Sequence, residues 1–164
     1  MFTCMLLFCE KLSAQSMQET TEWLRQTFAE IKIRQGDDYA DYSFSVMKDS
    51  VNKEMLLKIY IVVVIDSSHT TKAIQIPLKK VYVFADTLQY DDKCIYLGFK
   101  VKNEEKRISV IKIKDEHVYA SCANEYYLPI LYSQDNMIRI KKMVKAIQHL
   151  IKLVGGTVPN KNTF

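Results

Sequence analysis

Apolar positions along the chain change their period twice, and those changes outline its elements. Met17, Leu24, Phe28 and Ile31 recur at the spacing of one helix face, with Trp23 beside them. Ser16 lies three residues before Glu19, so the two can satisfy each other's free backbone donors in a capping box. A helix is predicted from Ser16 to about Ile31, ended by Gln35-Gly36-Asp37-Asp38. From residue 39 to 132 the pattern is that of strands. Tyr42-Ser43-Phe44-Ser45-Val46 alternates, and Met55–Ile65 is the strongest β segment, with Leu57, Ile59, Ile61, Val63 and Ile65 on one face. Its other face, Lys58, Tyr60, Val62 and Val64, is polar at one end and apolar at the other, which predicts a strand crossing the centre of the sheet.

Asp66-Ser67-Ser68-His69 reads as a turn, and Ala73-Ile74-Gln75-Ile76 alternates up to Pro77, which ends that strand or places it at an edge. Val81-Tyr82-Val83-Phe84 fits a strand or a helical turn equally. Residues 93–102 and 107–114 read as the two arms of a hairpin around Asn103-Glu104-Glu105-Lys106. The aromatic, apolar run 126–132, broken by Pro129, fits a last edge strand or a covering loop. The period then returns to helical. Ile140, Met143, Val144, Ile147, Leu150, Ile151 and Val154 fall in one arc of roughly 120°. Asp135 or Asn136 is the expected cap, and Gly155-Gly156 the left-handed stop after Val154. The predicted fold is α+β: an N-terminal helix, an antiparallel sheet or partly closed barrel, and a long amphipathic C-terminal helix packed on it.

Composition bounds this picture without altering it. With 164 residues, 48% hydrophobic and 26% charged, the chain can fill one core and is short for two. Residues 16–164 therefore read as one domain. The net charge of +4 mildly attracts anions but falls short of the charge density of a nucleic-acid binder, so nucleic acid is not an expected partner.

Residues 1–8 are an apolar run followed by Glu10-Lys11 and Leu12-Ser13-Ala14-Gln15-Ser16. A short apolar run ending in small residues reads as the tail of a secretory signal peptide cut near Ala14 or Gln15, with its basic region upstream of the given start. Residues 1–15 are then a truncated leader, and the protein is exported, periplasmic or secreted. The other reading is an apolar extension packed on the domain, in a cytoplasmic protein. No run reaches the roughly 20 apolar residues of a transmembrane helix. Removing the leader leaves Cys94 and Cys122, whose spacing is not that of metal ligands and which fit buried thiols better than a disulfide.

Searching for chemistry returns little. Neither Gly-rich phosphate loop, no C-x-x-C, no H-E-x-x-H and no G-x-S-x-G can be written in the chain. His69, His117 and His149 each have polar neighbours, as surface histidines do, and Cys122 lacks a local activator. Asp37, Asp38 and Asp41 lack the spacing of a calcium loop. The expected protein is not an enzyme and needs no cofactor or metal.

Two surfaces remain. Lys141, Lys142, Lys145, His149 and Lys152 form a basic face on the last helix, suited to an anionic membrane or polymer, or serving only as a solvated face. Tyr119, Tyr126, Tyr127 and Tyr132 form a candidate recognition rim, since tyrosine brings contact area at low entropic cost. The basic face and rim leave an unknown protein or small ligand as partner, with a membrane surface as the alternative.

Strands closed by one long helix, with Arg139-Ile140-Lys141-Lys142-Met143-Val144-Lys145-Ala146-Ile147-Gln148-His149-Leu150-Ile151-Lys152-Leu153 at the end, resemble a pleckstrin-homology-like domain of bacterial proteins. The resemblance covers the layout of residues 39–154. It implies a non-catalytic binding or scaffolding module. The basic signature of that family's phosphoinositide binders is not matched, since the first hairpin offers Lys48, Lys53 and Lys58 without arginine. Lipid headgroup binding is therefore not carried over.

Overall fold

The computed structural model describes residues 16–31, 33–35, 38–65, 68–86, 94–105, 107–114 and 117–158. The expected leader, residues 1–15, and the turn residues Asp66 and Ser67 lie outside the described residues. The first helix, α1 (Met17–Glu30), begins as its capping box dictates: Ser16 Oγ accepts from Glu19 N at 3.2 Å, and Ser16 N donates to Glu19 Oε2 at 2.7 Å. It buries Leu24 and Phe28. Its two buried threonines, Thr20 and Thr27, donate their hydroxyls to the carbonyls of Ser16 and Trp23 one turn back, so neither brings an unmet polar group into the core. The helix stops at Glu30, earlier than the Gly36 break, because Ile31 turns extended and buries its side chain.

Among the described residues nine strands follow: β1 (Ile33–Gln35), β2 (Asp38–Lys48), β3 (Met55–Ile65), β4 (Ser68–Pro77), β5 (Val81–Asp86), β6 (Cys94–Val101), β7 (Ile108–Lys114), β8 (His117–Ala123) and β9 (Glu125–Leu131). They form two open antiparallel sheets, β1-β2-β3-β4-β7-β8 and β5-β6-β9, rather than one sheet or a closed barrel. β3 lies inside its sheet as its two-faced pattern required, with Ile59 set between Phe44 of β2 and Ile74 of β4. β4 ends at Pro77, opposite Leu56 of β3 and beyond the last β4 residue paired with β7. A short 3-10 turn, Leu78–Lys80, leads into residues 81–84, which are strand.

The hairpin expected from residues 93–102 and 107–114 does not form. β6 pairs with β5 and β9, while β7 pairs with β4 and β8. Alternation fits either outcome locally, and packing against distant strands decides it. Asn103 is left-handed at φ 67°, in a 3-10 turn that carries the chain from one sheet to the other. The Lys102 ammonium ties that crossing down: it donates to Lys79 O at 3.2 Å, Thr157 O at 2.8 Å and Thr157 Oγ1 at 3.0 Å, and sits 5.0 Å from the centre of the Tyr82 ring.

The last helix, α2 (Gln134–Leu153), is capped by Ser133, not by Asp135 or Asn136: Ser133 Oγ accepts from Asn136 N at 3.0 Å. Its end is a Schellman motif, in which Gly155 (φ 76°) donates to Lys152 O and Gly156 to Ile151 O. α2 buries Ala146 besides the expected stripe, because it meets α1 on one side and β5 and β6 on another. Both sheets and both helices contribute to one buried cluster, including Phe28, Phe44, Leu57, Ile59, Ile74, Leu97, Phe99, Ile140 and Ile147. Arg139 of α2 reaches Glu30 of α1 at 3.7 Å over its rim. Among the described residues, no helix is long and apolar enough to cross a membrane.

Candidate functional site

The register of the six-stranded sheet sorts its side chains into an inner and an outer face. Rows of the inner face begin in the core and lose it across the sheet. The row through Ile61 continues to Lys72 of β4, Lys112 of β7 and Tyr119 of β8. Ile61 is buried, Lys72 and Lys112 are half-buried and Tyr119 is exposed. Burial, and then the neighbouring Lys112, hold the Lys72 ammonium below its ordinary pKa. Along this row the sheet runs past the core, with Lys72 and Lys112 in place of aliphatic side chains, while Ile108 at the other end of β7 stays buried.

Beside a polar row through Lys58, Gln75, Ser109 and Cys122, the outer face carries apolar rows where the solvent side of an antiparallel sheet is usually polar. One row runs Val62, Thr71, Ile113, Val118, and the next Tyr60, Ala73, Ile111, Ala120. Ile113 is 43% exposed and Val118 66%, with Tyr60 and Val62 each above a third. This apolar band ends on β8, the edge of the sheet.

Among the described residues, β8 is an edge without the charges, proline or bulge that usually protect one. Its residues, His117-Val118-Tyr119-Ala120-Ser121-Cys122-Ala123, include no Lys, Glu, Asp or Pro. Its pairing with β7 is unbroken over seven residues, so no bulge twists it away. Six of the seven side chains, on both faces, are exposed. A strand edge of this kind presents an open ladder of backbone donors and acceptors. The sequence pattern missed it because Ala, Ser and Cys supply no apolar alternation. Its one local signal is the pair of β-formers Val118-Tyr119.

The expected tyrosine rim is not one patch. Tyr119 belongs to β8, whereas Tyr126, Tyr127 and Tyr132 lie on or just after β9 in the other sheet. Alternation then separates Tyr126 from Tyr127: Tyr126 packs against the core, near Tyr42, and burial pushes both of those phenols up. Tyr127 joins an aromatic cover over the three-stranded sheet, 5.8 Å edge-on to Phe84 and 6.5 Å from Tyr96. Gly98 forms its floor, since a Cβ there would stand 2.4 Å from the Phe84 ring. Tyr132 is exposed at the end of β9.

Tyr127 donates its hydroxyl to Glu125 Oε2 at 2.7 Å, and Lys100 meets Glu125 Oε1 at 3.2 Å. The hydrogen bond to the carboxylate, with some burial and the charge of Glu125, pushes the Tyr127 phenol up to about 12. A folded pKa above the unfolded value of about 10 means stability present below about pH 10 and lost as pH rises through about 12. Tyr127→Phe is expected to lose stability less steeply than the wild type across that window, as urea midpoints at several alkaline pH values would show. Equal slopes would mean that this bond is absent in solution.

The basic residues of α2 do lie on one side. Lys141, Lys142, Lys145 and Lys152 are exposed and His149 is half-buried, within an arc of about 100°. His117 is exposed at the start of β8. The side chains of His69, Asp38 and Asp41, and all of Asp37, lie outside the described residues. Cys94 and Cys122 sit in different sheets, both as thiols, and Cys122 is exposed rather than buried because it stands on the outer face of β8, opposite Ser109. Among the described residues, no group of three or more His, Cys, Asp or Glu could hold a metal ion. No family model, curated protein or solved structure matches the chain.

Proposed function

We propose that this chain is a non-catalytic interaction module that binds an extended protein segment along β8, with the apolar outer face as a supporting floor. The observation that carries the reading is the edge itself: seven regular residues without charge or proline, exposed on both faces. Backbone pairing supplies affinity in such docking, and the alternating side chains of the edge supply selectivity. The resemblance of the strands-then-helix order to a pleckstrin-homology-like domain is consistent with a binding role. Export belongs to the same reading, supported by the apolar residues 1–8 and the small residues near Ala14.

The alternative is peripheral attachment to an anionic membrane or polymer. Four exposed lysines in one arc of α2 favour it.

Photo-cross-linking in fractionated cells of the native host tests both. A benzoylphenylalanine replaces Ser121 on β8 or Lys145 on α2. An adduct of discrete mass from the first, outside the cytoplasm and on a chain beginning near Gln15, is the expected result. Adducts from the Lys145 position alone would overturn edge binding in favour of the basic face. An intact Met1 in the cytosol would overturn export.

A further inference from the structure

Resting on the edge-binding reading, we infer that the segment seated on β8 is β8 of a second copy, paired antiparallel across a twofold axis at Ala120. The edge is self-complementary in size. Its first three residues, His117, Val118 and Tyr119, are large, and its last three, Ser121, Cys122 and Ala123, are small. Antiparallel pairing about Ala120 sets His117 against Ala123, Val118 against Cys122 and Tyr119 against Ser121, each large side chain facing a small one. A register one residue lower would oppose Tyr119 to Tyr119. The smallest side chain, Ala120, meets its own copy at the axis.

Charge agrees with size. A twofold axis sets the edge against its own copy, so a charged edge repels itself, and β8 has no Lys, Arg, Asp or Glu. The pairing also continues the outer face. Ile111 and Ala120 of one copy run directly into Ala120 and Ile111 of the other. Val118 gains Cys122 as its cross-strand neighbour. The exposed apolar band thereby becomes the middle of one continuous sheet rather than its rim.

Sedimentation of the full chain tests this. The wild type is expected as a dimer, and A120E and A120K each as monomers, with association weakened roughly a hundredfold by like charges at the axis. An equimolar mixture of the two variants should dimerise again, since opposite charges then meet. In the otherwise wild-type chain, V118C should form disulfide-linked dimers through Cys122 of the second copy. The same two positions within one strand are too far apart to bridge. The control K145C on α2 should not cross-link. Should A120E and A120K fail to fold, the V118C cross-link decides alone. A monomeric wild type, or a dimer indifferent to A120E and A120K, overturns the self-pairing. A monomer that still yields a discrete Ser121 adduct with another protein leaves edge binding standing, and no adduct sinks both.

Discussion

Phe28→Ala is expected to remove roughly 3 to 5 kcal/mol of stability, the range for deleting a fully buried phenylalanine ring. Phe28 is 1% exposed and stacks on Phe44 of β2, with ring centres 5.0 Å apart and planes 25° apart. The loss therefore combines a cavity with a severed aromatic pair, itself worth about 0.5 to 1.5 kcal/mol. A domain of this size is stable by about 5 to 15 kcal/mol, so the variant forfeits a large share of the whole. α1 touches the rest of the protein through β2 and α2, and Phe28 lies at the first of these contacts. Urea unfolding followed by fluorescence of Trp23, the single tryptophan, reads the effect where it arises. A loss below about 1 kcal/mol would mean that α1 is not docked on the sheet as described. Phe28→Leu should lose distinctly less, because it keeps most of the apolar contact.

Ile59→Asp is expected to abolish folding at neutral pH, whereas Tyr60→Asp beside it should change stability by no more than about 1 kcal/mol. Ile59 is fully buried at the centre of the six-stranded sheet, between Phe44 and Ile74. A carboxylate there loses its water without gaining a cation, a cost comparable to the entire stability. Tyr60 points to the outer face and is 37% exposed, so a carboxylate in its place stays hydrated. Far-UV circular dichroism and the soluble yield of the two variants separate the outcomes. Two variants of equal stability would refute the assignment of inner and outer faces, and with it the apolar outer band.

Elements whose signals are local were legible in the chain. The Ser16 and Glu19 box, the alternation through β2 to β4, Pro77 at the end of β4 and the glycine stop after α2 all recur in the structure. Each depends on residues within a turn or a strand of one another. The cap of α2 was misplaced by two or three residues, because Ser133, Asp135 and Asn136 are all competent caps and only the path out of β9 selects Ser133. Pairing was less legible. Residues 94–101 and 108–114 have the apolar alternation of two hairpin arms, and nothing local assigns them to separate sheets. That choice comes from the burial of Leu97 and Phe99 beside β5, β9 and α2, together with Lys102 holding the crossover.

The sequence by itself determined where α1 starts and α2 stops, which faces of the helices and of β2 to β4 are apolar, and that those faces suffice for one core. Tertiary structure alone decided what stands at the surface. Tyr119 and Tyr127 look alike in sequence, yet one lies on the overhanging edge of one sheet and the other in the aromatic cover of the other. Likewise β8, quiet in sequence, becomes exposed at six of its seven residues because β7 carries it past the end of the core. Local pattern follows from backbone geometry over a few residues. The identity of an edge depends on which distant strands win the pairing, and that is settled by the packing of the whole chain.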